Sequence, residues 1–234
     1  MPDSYIKTTG MRRSGHHGVM YWITANMDKN TILHEPPGVC VMEKKNYPGA
    51  AIKHGLKENL YIFNREEIHE NNIKEYENAF KDKDALKVIV LRFAPNLFAS
   101  RLKMADEKAL FKKTFNSRAF KIYNWQAQLI DIGYFDVVIF YEDFITKEWY
   151  RKSIGVKLGL NKSCKNIFDI TSIEGGGSSF DGLDKKPSQM NLTERYKALS
   201  EEHAIKLSKA TFMMDYNRRW FPGLYKEFVE YFNL

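Results

Sequence analysis

The sequence contains few cysteines and no long apolar run. Its two cysteines, Cys40 and Cys164, lie far apart and outside any C-x-x-C or other metal-ligand spacing, which favours reduced, structural thiols over a disulfide. No stretch approaches the roughly 18 apolar residues of a membrane-spanning helix. The first residues also lack the basic segment, apolar core and cleavage site of a secretion signal. From these absences we expect a cytoplasmic protein without a membrane span.

The composition is that of a folded, basic protein. A chain of 234 residues with 44% hydrophobic and 14% aromatic content can bury a sizeable core, and its length favours a single domain over residues 1–234. The net charge of +7 suits a polyanionic partner such as a nucleotide, a nucleic acid or an anionic glycan. Because lysine and glutamate are mixed along the chain, most of this charge is explained by an ordinary solvated surface.

Short apolar runs alternate with longer amphipathic segments. The runs predicted as strands are residues 5–6, 38–42, 59–64, 86–91 and 135–141. The segments predicted as helices are residues 19–27, 65–81, 95–104, 108–132, 147–158 and 193–212. Alternation of this kind predicts an α/β three-layer sandwich around a central, mainly parallel sheet, with ligands at the carboxyl ends of its strands.

A polar, glycine-containing segment at residues 8–18 follows the first apolar residues and precedes a helix-like run at 19–25. The first amides of a helix have no partners within it and carry the positive end of its dipole, so this layout predicts an anion-binding site. Glycines let the backbone approach a phosphate closely, and arginines supply charge. The residues of this predicted site are Arg12, Arg13, Ser14, Gly15, His16, His17 and Gly18.

The segment lacks the signature of a nucleoside triphosphatase. The G-x-x-x-x-G-K-[ST] pattern needs lysine followed by serine or threonine where His16 and His17 stand. A metal site is the other interpretation of two histidines. We expect adjacent residues at a helix start to point in different directions, however, and no third ligand is spaced for them. The sequence therefore predicts some other phosphate donor and no metal.

A second candidate site follows the run at residues 86–91. Arg92 stands at its carboxyl end, where a buried arginine is costly unless it meets an anion or a carboxylate. Pro95 is well placed to begin a helix, and Ser100 lies on the first turns of that helix. We expect Arg92 and Ser100 to bind one anion at the same sheet edge as residues 8–18. The alternative is that Arg92 forms a structural ion pair with Glu142 or Asp143.

These segments, in this order, resemble the sulfotransferase family. Residues 13–17 look like its 5′-phosphosulfate loop, K/R-S-G-T-T/S-W, with two histidines in place of the hydroxyl pair. Residues 92–100 are similar to its 3′-phosphate motif, an arginine with a serine eight positions later. Residues 138–144 and the Leu-Gly-Leu at 158–160 resemble two further family signatures. The resemblance implies a P-loop nucleotide-kinase-like fold and the donor 3′-phosphoadenosine 5′-phosphosulfate.

The resemblance also assigns roles to the donor residues. Arg13 takes the place of the family lysine beside the bridging oxygen, where negative charge grows as the donor departs. Residues 14–17 would hold the 5′-phosphate, while Arg92 and Ser100 would hold the 3′-phosphate. The family closes a basic, glycine-containing loop over the donor, and the flexible-looking segment at about 171–190 is our candidate for it. Its donor-binding residues would be Gly176, Gly177, Ser178 and Ser179.

Transfer requires a base close to the acceptor. In the family this is a histidine or glutamate, often near the end of the strand before the 3′-phosphate strand. That position here gives Glu66 as first choice, followed by Glu67 and His69. An acidic pair that merely stabilises a helix N-terminus is the structural alternative.

We therefore expect a sulfotransferase that transfers a sulfuryl group to a hydroxyl or amine of a small-molecule or glycan acceptor. Two other functions stay open. One is a small-molecule kinase on the same fold, which would need magnesium and a triphosphate. The other is a basic nucleic-acid-binding module, although no recognition-helix or RNA-binding motif supports it.

Overall fold

The computed structural model describes residues 4–26, 30–34, 59–108, 117–160 and 190–234. Five strands form one sheet in the order β2-β3-β1-β4-β5, and every neighbouring pair is parallel. The strands are β1 (Ser4–Gly10), β2 (Asn30–His34), β3 (Asn59–Glu66), β4 (Ala85–Leu91) and β5 (Val137–Phe140). Because all the strands are parallel, their carboxyl ends lie at the same edge of the sheet.

Helices cover both faces of this sheet. They are α1 (His16–Ala25), α2 (Ile73–Asn78), α3 (Ala94–Lys108), α4 (Ser117–Asp131), α5 (Tyr141–Thr146), α6 (Glu148–Lys157), α7 (Glu201–Ser208), α8 (Thr211–Trp220) and α9 (Pro222–Phe232), with a 3₁₀ helix at Arg195–Ala198. The three-layer α/β sandwich predicted from the sequence is confirmed. Among the described residues, no helix is both long and apolar enough to cross a membrane.

Strand β4 shows why both faces are covered. Its side chains alternate between the two faces, as in any strand. Val88 and Val90 pack in the core beneath α1, α5 and α6. Leu91 packs in a second core with α3, α4, α8 and α9. A strand buried on both faces needs a continuous apolar run, and residues 88–91 of β4 are both apolar and buried.

The predicted strands at 59–64, 86–91 and 135–141 are confirmed, except that β5 ends at Phe140 and Tyr141 begins α5. Strand β2 was not predicted, because its sequence NTILH is too short and polar to stand out. Several predictions concern residues outside the described ranges. These are the strand at 38–42, both cysteines, the start of the 108–132 helix and the segment at 171–189 with Gly176, Gly177, Ser178 and Ser179.

Two predicted helices are wrong in extent. The helix predicted over 65–81 begins only at Ile73, because Arg65 and Glu66 continue β3 and pair with the end of β1. The helix predicted over 193–212 is divided into the 3₁₀ helix, α7 and the start of α8. Ser200 caps α7 by accepting a hydrogen bond from the backbone N–H of His203, so a new helix begins there.

Candidate functional site

The loop from β1 to α1 is shaped by two residues in the left-handed region of backbone space. Arg13 has φ of 73° and Gly15 has φ of 87°. The backbone N–H of Ser14 donates to the carbonyl of Met11 at 2.9 Å, which closes a tight turn. A β-carbon at Gly15 would lie 2.1 Å from Cε2 of Tyr141, so only glycine fits there. Arg13 tolerates an unusual conformation in the same turn, as residues at functional sites often do.

The loop delivers the N-terminus of α1 to the edge where the strands end. Gly15 is the N-cap, and within the described chain no side chain caps the helix and its first turn has no acidic residue. Its first amides therefore suit an anion. Gly18 lies within α1, and a β-carbon there would meet no atom of the described residues within 4 Å. Contact with Tyr141 therefore requires glycine at position 15, and no contact among the described residues requires it at position 18.

Glu66 brings three residues of the loop and helix together. It is the last residue of β3 and is paired in register with Gly10. Its Oε2 accepts a hydrogen bond from Nε of Arg12 at 3.1 Å. Its Oε1 lies 3.3 Å from Nε2 of His16 and 3.8 Å from Nε2 of His17. Glu66 is therefore placed beside the predicted donor loop.

The histidine pair is electrically neutral near physiological pH. Burial lowers the pKa of His16 to about 3. Burial, and to a smaller extent the neighbouring His16, lower the pKa of His17 to about 3 against the opposing effect of Glu66. Neutral imidazoles can donate one hydrogen bond each, but they add no positive charge for a phosphate. In this loop the charge comes from Arg12 and Arg13.

The expectation that the two imidazoles point apart was wrong. Their ring centroids are 4.0 Å apart, and Glu66 supplies the third group that the spacing along the sequence did not reveal. Glu66 was missed as their partner because it lies about fifty residues away and was assigned to a helix. Strand pairing, which sequence spacing does not encode, brings it to the loop.

Glu67 and His69 lie in the turn after β3. Oε1 of Glu67 accepts a hydrogen bond from Nη1 of Arg101. The same oxygen accepts a long hydrogen bond, of 3.4 Å, from the backbone N–H of Arg12. Glu67 also anchors the turn, since its own N–H donates to the carbonyl of Gly10 at 2.9 Å. His69 Nδ1 accepts from the backbone N–H of Asn71. Of the three predicted bases, Glu66 has the closest side-chain contacts with Arg12, His16 and His17.

Arg92 is buried and fixed at the centre of the site. Its Nη1 donates to the carbonyl of Arg13 at 3.0 Å and its Nη2 to the carbonyl of Leu192 at 2.7 Å. Its Nε lies 3.4 Å from Oε1 of Glu142, and its guanidinium carbon lies 5.0 Å from the centre of the Tyr141 ring. Arg92 therefore contacts the loop between β1 and α1, and the alternative ion pair with Glu142 is also present.

Glu142 is the buried counter-ion of this arrangement. Its oxygens accept hydrogen bonds from the backbone N–H of Phe93 and from Nδ2 of Asn96, both at 3.0 Å. Burial raises the pKa of Glu142, while Arg92 and these donors oppose the shift. Asp143, the other predicted partner of Arg92, instead pairs with Lys147 on the surface.

Ser100 has a partner that the sequence did not suggest. Its Oγ accepts a hydrogen bond from Nη1 of Arg195 at 3.1 Å, and both side chains are buried. Leu192, which binds Arg92, lies three residues before Arg195. The start of the C-terminal region therefore covers both Arg92 and Ser100. Neither Arg195 nor Arg101 belongs to a sequence motif, so their contacts with Ser100 and Glu67 are evident only from the fold.

Comparison with known proteins adds no family assignment. No protein-family model matches the chain, and no curated protein matches it. The functional interpretation consequently depends on the geometry of the site and on the motifs in the sequence.

Proposed function

We propose that the protein is a sulfotransferase that uses 3′-phosphoadenosine 5′-phosphosulfate. The observation that carries the proposal is the hydrogen bond from Arg92 to the carbonyl of Arg13. It joins the two motifs that the family uses for the two phosphate-bearing ends of one donor. The N-terminus of α1, which has arginines beside it and no side-chain cap among the described residues, supports the same interpretation.

The reaction is an in-line displacement at sulfur. The acceptor oxygen or nitrogen forms a bond to sulfur as the bond from sulfur to the bridging phosphate oxygen breaks. The proton of the acceptor passes to a base, and adenosine 3′,5′-bisphosphate departs. Arg13 is assigned to the bridging oxygen, where negative charge develops.

Glu66 is the proposed base. It is beside the loop and 8% exposed, whereas Glu67 is engaged by Arg101 and the backbone of Arg12. The Arg12 guanidinium holds one oxygen of Glu66 and leaves Oε1 facing the histidines. The acceptor class stays open between a small molecule and a glycan, since loops define acceptor pockets.

We assign Arg92 and Ser100 to the 3′-phosphate, as the resemblance implies, and add Arg195 to them. Arg92 donates hydrogen bonds to two backbone carbonyls, and the buried Oγ of Ser100 accepts a hydrogen bond from Arg195. Arg195 is a further cation at the same place. We assign the 3′-phosphate to this group of three residues.

A thermal-shift screen tests the proposal against the kinase alternative. A ligand that binds only the folded state raises the melting temperature. We expect adenosine 3′,5′-bisphosphate without metal to stabilise the protein and magnesium-ATP to have little effect. Stabilisation by magnesium-ATP alone would favour the kinase, and a steeply salt-dependent response to oligonucleotides alone would favour the nucleic-acid-binding module.

A further inference from the structure

A group of three possible metal ligands lies between α1 and the end of β3. The ligand atoms of His16, His17 and Glu66 all lie within 4.8 Å of one another. Two imidazoles and a carboxylate are a ligand set used by zinc and by other divalent first-row metals, whereas magnesium and calcium prefer oxygen ligands alone. The chemistry of the group therefore indicates a particular class of cation.

The separations fit one shared ion. Two ligands about 2.1 Å from a metal at a tetrahedral angle lie about 3.4 Å from each other. Oε1 of Glu66 lies 3.3 Å from Nε2 of His16 and 3.8 Å from Nε2 of His17. The side chain of His17 is 23% exposed, which gives it room to adjust and leaves a side of the group open to solvent.

An independent observation concerns Nε2 of His16. The His16 side chain is 1% exposed, and within the described residues this nitrogen has no hydrogen-bond partner of acceptable geometry, although Glu66 is close. A buried polar atom without a partner is unfavourable and calls for an explanation. A metal ion between Nε2 and Oε1 would satisfy both atoms.

The surroundings hold the ligands in place. Nδ1 of His16 is 3.4 Å from Oγ of Ser14, which can fix the ring so that Nε2 faces Glu66. Arg12 binds the other oxygen of Glu66 and leaves Oε1 for the ion. Such partners behind the ligands are typical of protein metal sites.

We propose that His16 Nε2, His17 Nε2 and Glu66 Oε1 together bind one divalent metal ion of the zinc and cobalt class. Water completes its coordination on the side of His17. In the proposed sulfotransferase, Oε1 of Glu66 accepts the proton of the acceptor. An ion bound to this oxygen blocks that role, so the metal-bound protein transfers the sulfuryl group more slowly than the metal-free protein. The binding itself does not depend on the proposed function.

The test is titration of the chelator-treated protein with Co²⁺, followed by visible absorption and by calorimetry. We expect one ion per chain, with the absorption bands of cobalt bound to nitrogen and oxygen. His17→Ala and Glu66→Gln should each weaken binding by about 100-fold or more, since even changes behind the ligands cost 10- to 100-fold. His203→Ala, on α7, is the matched control and should bind like the parent protein.

Two results would overturn the proposal. One is the absence of saturable Co²⁺ binding in the parent protein. The other is equal affinity in the parent, His17→Ala and Glu66→Gln proteins, which would place the ion elsewhere. Thermal melting of each variant checks that it is folded, and the half-buried His17 is the safer of the two ligand substitutions. Binding of adenosine 3′,5′-bisphosphate by the same samples reports on the donor site separately.

Discussion

At the scale of single residues, Gly15 is a position where both the backbone conformation and the neighbouring side chain require glycine. Its φ is 87°, and a β-carbon would overlap the ring of Tyr141. Gly15→Ala should therefore lower the free energy of unfolding by about 1–3 kcal/mol, the usual cost of such backbone strain, and more if the ring cannot move. Denaturant unfolding measures this change.

Gly18→Ala is the matched control for Gly15→Ala. Gly18 lies within α1, where a β-carbon would contact none of the described residues and alanine favours the helix by about 1 kcal/mol. The two substitutions should therefore change stability in opposite directions. Equal effects would contradict the tight contact between the loop and Tyr141.

His16 makes stability depend on pH in a defined direction. Its folded pKa is about 3 against an ordinary value of 6.5, so between these values the unfolded chain binds a proton that the folded chain does not. Stability from this residue is present above pH 6.5 and is lost as the pH falls, at up to about 1.4 kcal/mol per pH unit.

Replacement of His16 tests this dependence. His16→Gln should make the fall in unfolding free energy between pH 6 and pH 4 shallower by about 1.4 kcal/mol per pH unit. His203→Gln, which changes the histidine that contacts Ser200 in α7, is the control. Identical slopes for the parent and His16→Gln proteins would show that His16 has the same pKa in the folded and the unfolded chain.

At the scale of secondary-structure elements, the end of β3 shows the limit of sequence patterns. Residues 65–66 are polar and continue into an acidic, helix-like stretch, so local pattern favoured a helix. Parallel pairing with β1, which aligns Glu66 with Gly10, keeps them in the strand. Tertiary pairing thus overrode local preference, and it created the contact of Glu66 with the two histidines.

The contact between the start of α5 and the end of β4 provides an element-scale prediction. Glu142→Gln removes the charge that faces the buried Arg92 while keeping an oxygen acceptor. Removing one partner of a buried ion pair typically destabilises a protein by about 3–5 kcal/mol. We expect Glu142→Gln to lower the free energy of unfolding by close to this amount. Chemical denaturation at neutral pH gives the value.

The adjacent residue serves as the comparison. Asp143 pairs with Lys147 at the surface, and Asp143→Asn should cost no more than about 1 kcal/mol. A Glu142→Gln protein as stable as Asp143→Asn would mean that Arg92 does not need its counter-ion. In that case Arg92 would be better suited to bind an anion directly.

At the scale of the whole molecule, the fold class could be predicted and the closure of the site could not. Buried apolar runs such as residues 88–91 identify the parallel sheet, because strands covered on both faces need them. The contacts of Arg195 with Ser100 and of Leu192 with Arg92 join segments about a hundred residues apart. No spacing rule relates such segments, so only the folded chain reveals them.

The C-terminal helices are part of the same core as the second motif. Phe228 on α9 is fully buried and packs against Phe93, which directly follows Arg92. Phe228→Ala should cost about 3–5 kcal/mol of unfolding free energy by leaving a cavity. The exposed Tyr231→Ala on the same helix should cost much less in the same thermal or denaturant experiment. Similar losses would mean that α9 does not complete the core.

Calorimetric titration with adenosine 3′,5′-bisphosphate tests the central claim, that the loop after β1 binds a donor phosphate through Arg13. Arg13→Asn removes the charge with a residue that tolerates a positive φ, and Arg219→Ala changes a cation paired with Asp131 at the surface. We expect the parent and Arg219→Ala proteins to bind alike and Arg13→Asn to bind about 30-fold more weakly, since a charged hydrogen bond is worth about 2 kcal/mol. Unchanged affinity in the folded Arg13→Asn protein would contradict the account.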